Sequence, residues 1–357
     1  MPNPRHALPV TFLTALIGGV VFKLLHIPVP WLLGPMLAVL AGSSVRKNLF
    51  RWPGPIRNAG MIVVGYTIGL SMTSAALHEM VRQLPTMLLM TVLLLLFCAF
   101  MAFIVTRLSG NPYLTMLMGS IPGGLTQVIT LAEETEGVNL TVVTVMQVVR
   151  LMMIVICVPV LVFSPLLGLP QHGGSAPEIS HPGVTLGSGD IARLALFAGV
   201  CVVCAIVGNR IRFPTAYLLG PAIGTAVLQA VGFQGPPLPS IAINAAQFMI
   251  GTYVGLLLKP GELPRKLRLL TLALMSGLLL VLGALGLSLL LTRLEPVSMS
   301  TALLSLAPGG MDQMGVMAHE VNADLSMVAG YQLFRTFFIF FAVPPLFKLA
   351  IRLIRRK

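Results

Sequence analysis

Charge is scarce in this chain: 10% of its 357 residues are Asp, Glu, Lys or Arg, and only 11 of those are acidic. A soluble globular domain carries about 25% charged residues, so a water-facing surface of ordinary size is excluded. Four cysteines, all inside apolar segments, supply no disulfide framework; Cys201 and Cys204 form a C-x-x-C that on a helix merely puts two small residues on one face. The six histidines are scattered, with no His-rich or H-E-x-x-H pattern to hold a metal. No P-loop is present, which argues against direct ATP-driven pumping, and no cofactor motif is found. Nor is there a helix-turn-helix or zinc finger, so the net charge of +12 does not point to nucleic acid.

What fills the chain is hydrophobic residues, 56% of it, in runs of membrane-span length. Leu84 to Thr106 has one proline and no charge, and Leu269 to Thr292 has no charge at all. About 20 apolar residues cross a bilayer at a rise of about 1.5 Å each. The N-terminus, with Arg5, His6 and an apolar stretch from Leu8 to Phe22, has the look of a signal peptide. It lacks a small-x-small cleavage site and pairs with Ile191 to Val207 further on, so it reads as a retained first span.

That pairing is part of a duplication with a register of 186 residues. Trp31-Leu32-Leu33-Gly34-Pro35 matches Tyr217-Leu218-Leu219-Gly220-Pro221, and Gly65 and Gly69 match Gly251 and Gly255. Pro122-Gly123-Gly124 and Gln127 match Pro308-Gly309-Gly310 and Gln313; after a one-residue slip, Gln147 and Arg150 match Gln332 and Arg335. Six apolar segments fall in each copy, at roughly 8–25, 30–45, 57–77, 84–107, 112–135 and 140–163, then 189–209, 214–231, 240–258, 267–291, 298–320 and 325–350. The domain reading is a first membrane repeat (1–163), an exposed Gly/Pro/Ser-rich linker (164–188) and a second repeat (189–357) ending in a basic tail.

The fifth segment of each copy is broken by Pro-Gly-Gly into arms of about ten residues, about 15 Å of helix and half the hydrocarbon thickness. It is either a broken spanning helix or a re-entrant hairpin. Basic loops decide the orientation: Arg46, Lys47, Arg51 and Arg57 in the first copy, Lys259, Arg265, Lys266 and Arg268 one connection later in the second, and Lys348 to Lys357 at the end. If all face the cytoplasm, the copies are inverted and each crosses an odd number of times. The expected fold is therefore an all-α polytopic membrane protein: two inverted repeats, each of five transmembrane helices plus one re-entrant or broken Pro-Gly-Gly hairpin. Both termini are then cytoplasmic and the linker lies outside.

The candidate site follows from the breaks. Glycines at a helix N-terminus in the membrane interior let a ligand approach unpaired N–H groups, an anion above all; the bland alternative is a tight turn. Gly123, Gly124, Thr126 and Gln127 form the first tip, and Gly309, Gly310, Asp312 and Gln313 the second. Arg150 and Arg335 lie near mid-depth, with Gln147 and Gln332 on the same helical faces. A charge there costs about 2.5 to 3.5 kcal/mol on insertion scales and marks function by default. The structural alternative is an ion pair, of Arg150 with Glu133 or Glu134 and of Arg335 with Glu320 or Asp312. Asp312, opposite the neutral Thr126, is the candidate for proton or sodium coupling. Glu133, Glu134, Glu136, His319 and Glu320 read as a solvated rim. No metal site and no catalytic constellation is found, so the chain is not read as an enzyme.

Through W-L-L-G-P-M, I-P-G-G-L-T-Q, L-A-E-E, Y-L-L-G-P and A-P-G-G-M-D-Q-M, nearly the whole chain resembles the bacterial AbrB-duplication membrane proteins. The resemblance implies the inner membrane and brings two labels, ammonia monooxygenase and regulator of gene expression. The residues show no ligand set for the first. The name also belongs to an unrelated soluble DNA-binding regulator, whose short β-rich domain is absent here. The function expected is secondary transport, elevator-like, of a small organic anion; membrane-embedded regulation through a partner is the alternative, and a membrane oxidoreductase the weaker one. The partners expected are the lipid bilayer and a small anionic solute, not nucleic acid, with homodimerisation left open.

Overall fold

The computed structural model describes residues 4–27, 29–46, 49–122, 128, 132, 135, 137–164, 188–211, 213, 215–257 and 267–354, and these contain helices and no strand. In the first copy they are α1 (Pro4–Leu24), α2 (Pro30–Val45), α3 (Gly54–Ser71), α4 (Ser74–Arg82), α5 (Leu84–Ser109), α6 (Tyr113–Ser120) and α7 (Leu140–Val162). The second copy supplies α8 (Ser188–Arg210), α9 (Ala216–Ala230), α10 (Ser240–Leu257), α11 (Leu267–Leu294), α12 (Met299–Leu306), α13 (Met311–Glu320) and α14 (Leu325–Ile354). Among the described residues five helices are long and apolar enough to cross a membrane, within α1, α5, α7, α8 and α11. The linker (165–187), the loop 258–266 and the last three residues lie outside the described part.

The third apolar segment departs from the sequence expectation. A single span over 57–77 is expected; instead α3 stops at Ser71 and α4 leaves at 83° to it. The cause is local. Ser71 turns its hydroxyl back to the Ile68 carbonyl at 2.7 Å, and Thr73 caps a new helix by accepting the Ala76 N–H on its side chain.

The chain divides into two compact units, Met1–Glu79 with Leu161–Gly261 and Met80–Val160 with Glu262–Lys357. These cut across the sequence repeats, since each unit draws corresponding segments from both copies. In the first, α2 packs on α1 and α10, and α9 packs on α8 and α3. Each copy's third helix thus lies against the other copy's second. The matched glycines explain how closely. A methyl group on Gly251 would stand 3.1 Å from the carbonyl carbon of Leu32, and one on Gly65 3.1 Å from that of Leu218; Leu32 and Leu218 are themselves 186 apart. Small residues at such crossings let helix backbones meet, the main source of association where lipid is as apolar as leucine. The duplicated W/Y-L-L-G-P motif is therefore packing surface. Cys204 belongs to the same surface, its carbonyl oxygen 2.6 Å from where a Gly220 side chain would begin.

Both copies also start their second helix from a β-branched residue in the left-handed region, Val29 at φ 51° and Thr215 at φ 47°. That geometry costs roughly 1–2 kcal/mol, and the duplication repeats it. Each strained residue lends its carbonyl to the first turn, Val29 to the N–H groups of Leu32 and Leu33 and Thr215 to those of Leu218 and Leu219.

In the second unit α5 crosses α11, with the Phe97 ring against Gly283, again 186 residues apart. Two apolar clusters flank the crossing. Met116, Val145, Met146 and Val149 join α6 and α7 to Leu269 and Ala273 of α11. Met87, Met90, Leu306 and Tyr331 join α5 to α12 and α14. The candidate site residues all belong to this unit.

Candidate functional site

Pro308 begins the break between α12 and α13, and Pro122 follows the end of α6 at the matched position. In an α-helix the carbonyl of Leu304 would accept from the N–H four residues on. That residue is Pro308, which has no N–H. Gln332 on α14 supplies the missing donor: its Nε2 is 2.8 Å from the Leu304 carbonyl, 3.3 Å from Ser305 and 3.1 Å from Ala307. Gln147 on α7 does the same for α6, at 2.7 Å from Met118, 3.3 Å from Gly119 and 3.1 Å from Ile121. Met118 is four residues before Pro122. Both glutamines are fully buried, and in a medium without water an unmet carbonyl costs several kcal/mol.

The arginines finish the task. Arg335 Nη1 donates to the carbonyls of Leu306 (3.2 Å) and Ala307 (3.0 Å), Nη2 reaches that of Gly309 at 3.5 Å, and Nη2 also donates to Gln332 Oε1. Arg150 Nη1 donates to the Ile121 carbonyl. A helix C-terminus carries about half a negative charge, so each guanidinium sits where a cation is stabilised. The two are 3% and 5% exposed, and the Cys98 thiol of α5 is fully buried. Ile154, one turn beyond Arg150, packs on Gly309, whose carbonyl Arg335 reaches. The site is thus two matched cations, one from each copy, brought to a common interior.

Of the residues expected at the site, the structure brings together Gln147, Arg150, Gln332 and Arg335. Gly309 lies in the break, where a methyl group would meet Met314 Cε at 2.5 Å and Ile154 Cγ2 at 3.0 Å. Gly310 is the N-cap of α13, with no side chain capping it. Gln313 follows on the first turn, 5% exposed, its Oε1 without a partner among the described residues. Gly123, Gly124, Thr126 and Gln127 lie outside the described residues, as do Glu133, Glu134, Glu136 and the Asp312 side chain. The structural alternative for Arg335, an ion pair with Glu320, is not what the described residues show: Glu320 and His319 are exposed at the far end of α13, as a rim would be, and the guanidinium is met by carbonyls and Gln332. Cys98 was not a candidate, because its counterpart 186 residues on is Ala284 and no matched polar residue draws notice to it. The glutamines were candidates in a different role.

Comparison with known proteins bears on the whole of this arrangement. The family model described as "Transition state regulatory protein AbrB" matches residues 31–351. The chain belongs to the AbrB family. The match runs from the W-L-L-G-P motif of α2 to the last turn of α14, so every candidate residue above falls inside it. Two curated relatives match across nearly their full lengths. "Putative regulator AbrB" of Escherichia coli (strain K12) is 29% identical over 332 residues, 93% of each chain. "Uncharacterized protein YhjN" of Bacillus subtilis (strain 168) is 22% identical over 354 residues, 93% of this chain and 90% of that one. In this AbrB-family chain the duplicated W/Y-L-L-G-P motifs and Gln147, Arg150, Gln332 and Arg335 all lie on helices.

Replacing Gln332 by Met keeps volume but strips the donors from three buried carbonyls. Gln332→Met is expected to cost about 1–3 kcal/mol, read as a lower unfolding temperature in detergent, and Gln147→Met to behave alike. Unfolding temperatures equal to the parent's in both variants would show that the breaks are satisfied in another way.

Proposed function

We propose that this protein is a secondary transporter of a small organic anion. The observation that carries the reading is that Arg150 and Arg335, both buried and from matched places in the two copies, flank one break: Arg335 reaches the Gly309 carbonyl, and Ile154, one turn beyond Arg150, packs on Gly309. Hydrogen bonds to the helix ends fix the planes of the guanidiniums without removing their charge. A carboxylate entering between them would gain charge-assisted hydrogen bonds in a medium of low dielectric. The N-terminus of α13, uncapped by any side chain, adds a positive helix end beside Gly309, Gly310 and Gln313. Gly123, Gly124, Thr126 and Gln127 would present the first copy's equivalent, and Asp312 would couple the anion to a proton or sodium ion.

In this reading the two copies are inverted, each with five crossings and a re-entrant Pro-Gly-Gly segment, and both termini face the cytoplasm of a bacterial inner membrane. The placing of the basic loops supports it. The two compact units, each drawing on both copies, suit an elevator-type mechanism in which one body carries the site.

Regulation of gene expression through a partner is the second reading, favoured by the name of the Escherichia coli relative. Uptake separates the two. Purified protein in proteoliposomes, given a panel of radiolabelled small carboxylates, is expected to accumulate at least one. Arg150→Ala and Arg335→Ala should each lower that uptake by about tenfold or more, the loss of one interaction worth about 1.4 kcal/mol. Undiminished uptake in both folded variants would refute the site. No accumulation of any panel member, with altered transcription on gene deletion, would favour the regulator.

Orientation has its own check. A cysteine replacing Ser175 in the linker is expected to react with an impermeant maleimide applied to intact cells. Reaction only after the cytoplasm is opened would overturn the inverted arrangement.

A further inference from the structure

The α4 helix takes no part in the site, and its geometry is unlike that of any neighbour in the sequence. Nine residues make about 13 Å of helix, far short of the roughly 30 Å hydrocarbon core. It turns 83° from α3, and a single residue, Gln83, separates it from α5, a helix apolar enough to span. A helix this short, turned sharply from α3 and joined by one residue to the end of a spanning helix, has the length and connection of an interfacial segment rather than of a span.

Its side chains sort accordingly. None is buried. Successive helical residues turn by about 100°, so Leu77 and Val81 stand together on one edge, with Ala75, Glu79 and Arg82 roughly opposite. Leu77 is 38% exposed and Val81 64% exposed. A third edge is fastened. The Met80 thioether packs on Gly330 of α14, its Cε 2.7 Å from where a Gly330 side chain would start. This contact holds α4 against the helix that carries Gln332 and Arg335 and fixes which edge faces outward. The helix has one acidic and one basic residue besides His78, so it needs no anionic lipid to attract it.

We propose that α4 lies on the bilayer surface, with its Leu77–Val81 edge in the boundary between headgroups and acyl chains. Such a helix binds by its buried apolar edge, while its polar edge stays in water. The inference does not depend on the chain being a transporter.

Tryptophan variants at these exposed positions read it directly: Leu77→Trp, Val81→Trp and Ala75→Trp in vesicles of dioleoylphosphatidylcholine or its brominated analogue, with the parental emission of Trp31 and Trp52 subtracted. Variants are used only if they unfold at the parental temperature. Bromolipid is expected to quench the tryptophans at 77 and 81 about twofold or more beyond that at 75, and aqueous iodide to show the reverse order. Equal quenching of all three by iodide would place α4 in water, and equal quenching by bromolipid would place it within the hydrocarbon. Either result overturns the proposal.

Discussion

A proline inside an apolar helix leaves the carbonyl four residues earlier without a donor, and inside a membrane no water replaces it. Pro122 and Pro308 create that debt twice, and Gln147 and Gln332 meet it with the same three-carbonyl grip to within a tenth of an ångström. The rest of the site depends on this grip. It fixes α7 against α6 and α14 against α12, and it sets the register that carries each arginine, three residues on, to the exposed end of a helix dipole. Two cations can stay buried in one interior because each is held by carbonyl oxygens at a partly negative helix end.

Duplication then does more than repeat the device. Each compact unit takes corresponding segments from both copies, so neither copy forms a unit alone. In the first unit the copies meet through glycines that admit a facing carbonyl, Gly65 to Leu218 and Gly251 to Leu32. In the second they meet at Phe97 and Gly283 and where Ile154 packs on Gly309. The duplicated glycines thus serve close packing in one unit and, with proline, helix interruption in the other.

Much of this was legible in the sequence. Apolar run length and the 186-residue register place most helix ends within a few residues, because span length and small-residue packing are written locally. The break at Pro308-Gly309-Gly310 and the burial of both arginines were equally readable. The bend before α4 was not, since Thr73 acts as a cap only where the preceding helix has already ended. The role of the glutamines was hidden for another reason: their partners are 25 to 29 residues away, and side-chain amides look alike whether they bind a solute or a carbonyl. Cys98 and the division into units are facts of three dimensions, with no repeated residue to announce them.

The central claim is that Arg150 and Arg335 share one interior rather than capping two separate helices. A double-mutant cycle on unfolding free energy, with Arg150→Met, Arg335→Met and the pair, tests it most directly. Each single change loses a cap but also relieves the repulsion between the two charges; the double change relieves it only once. The account predicts that the double variant is less stable than the sum of the single losses implies, by about 0.5 kcal/mol or more. Strict additivity would mean that each guanidinium acts alone, and would contradict a common site.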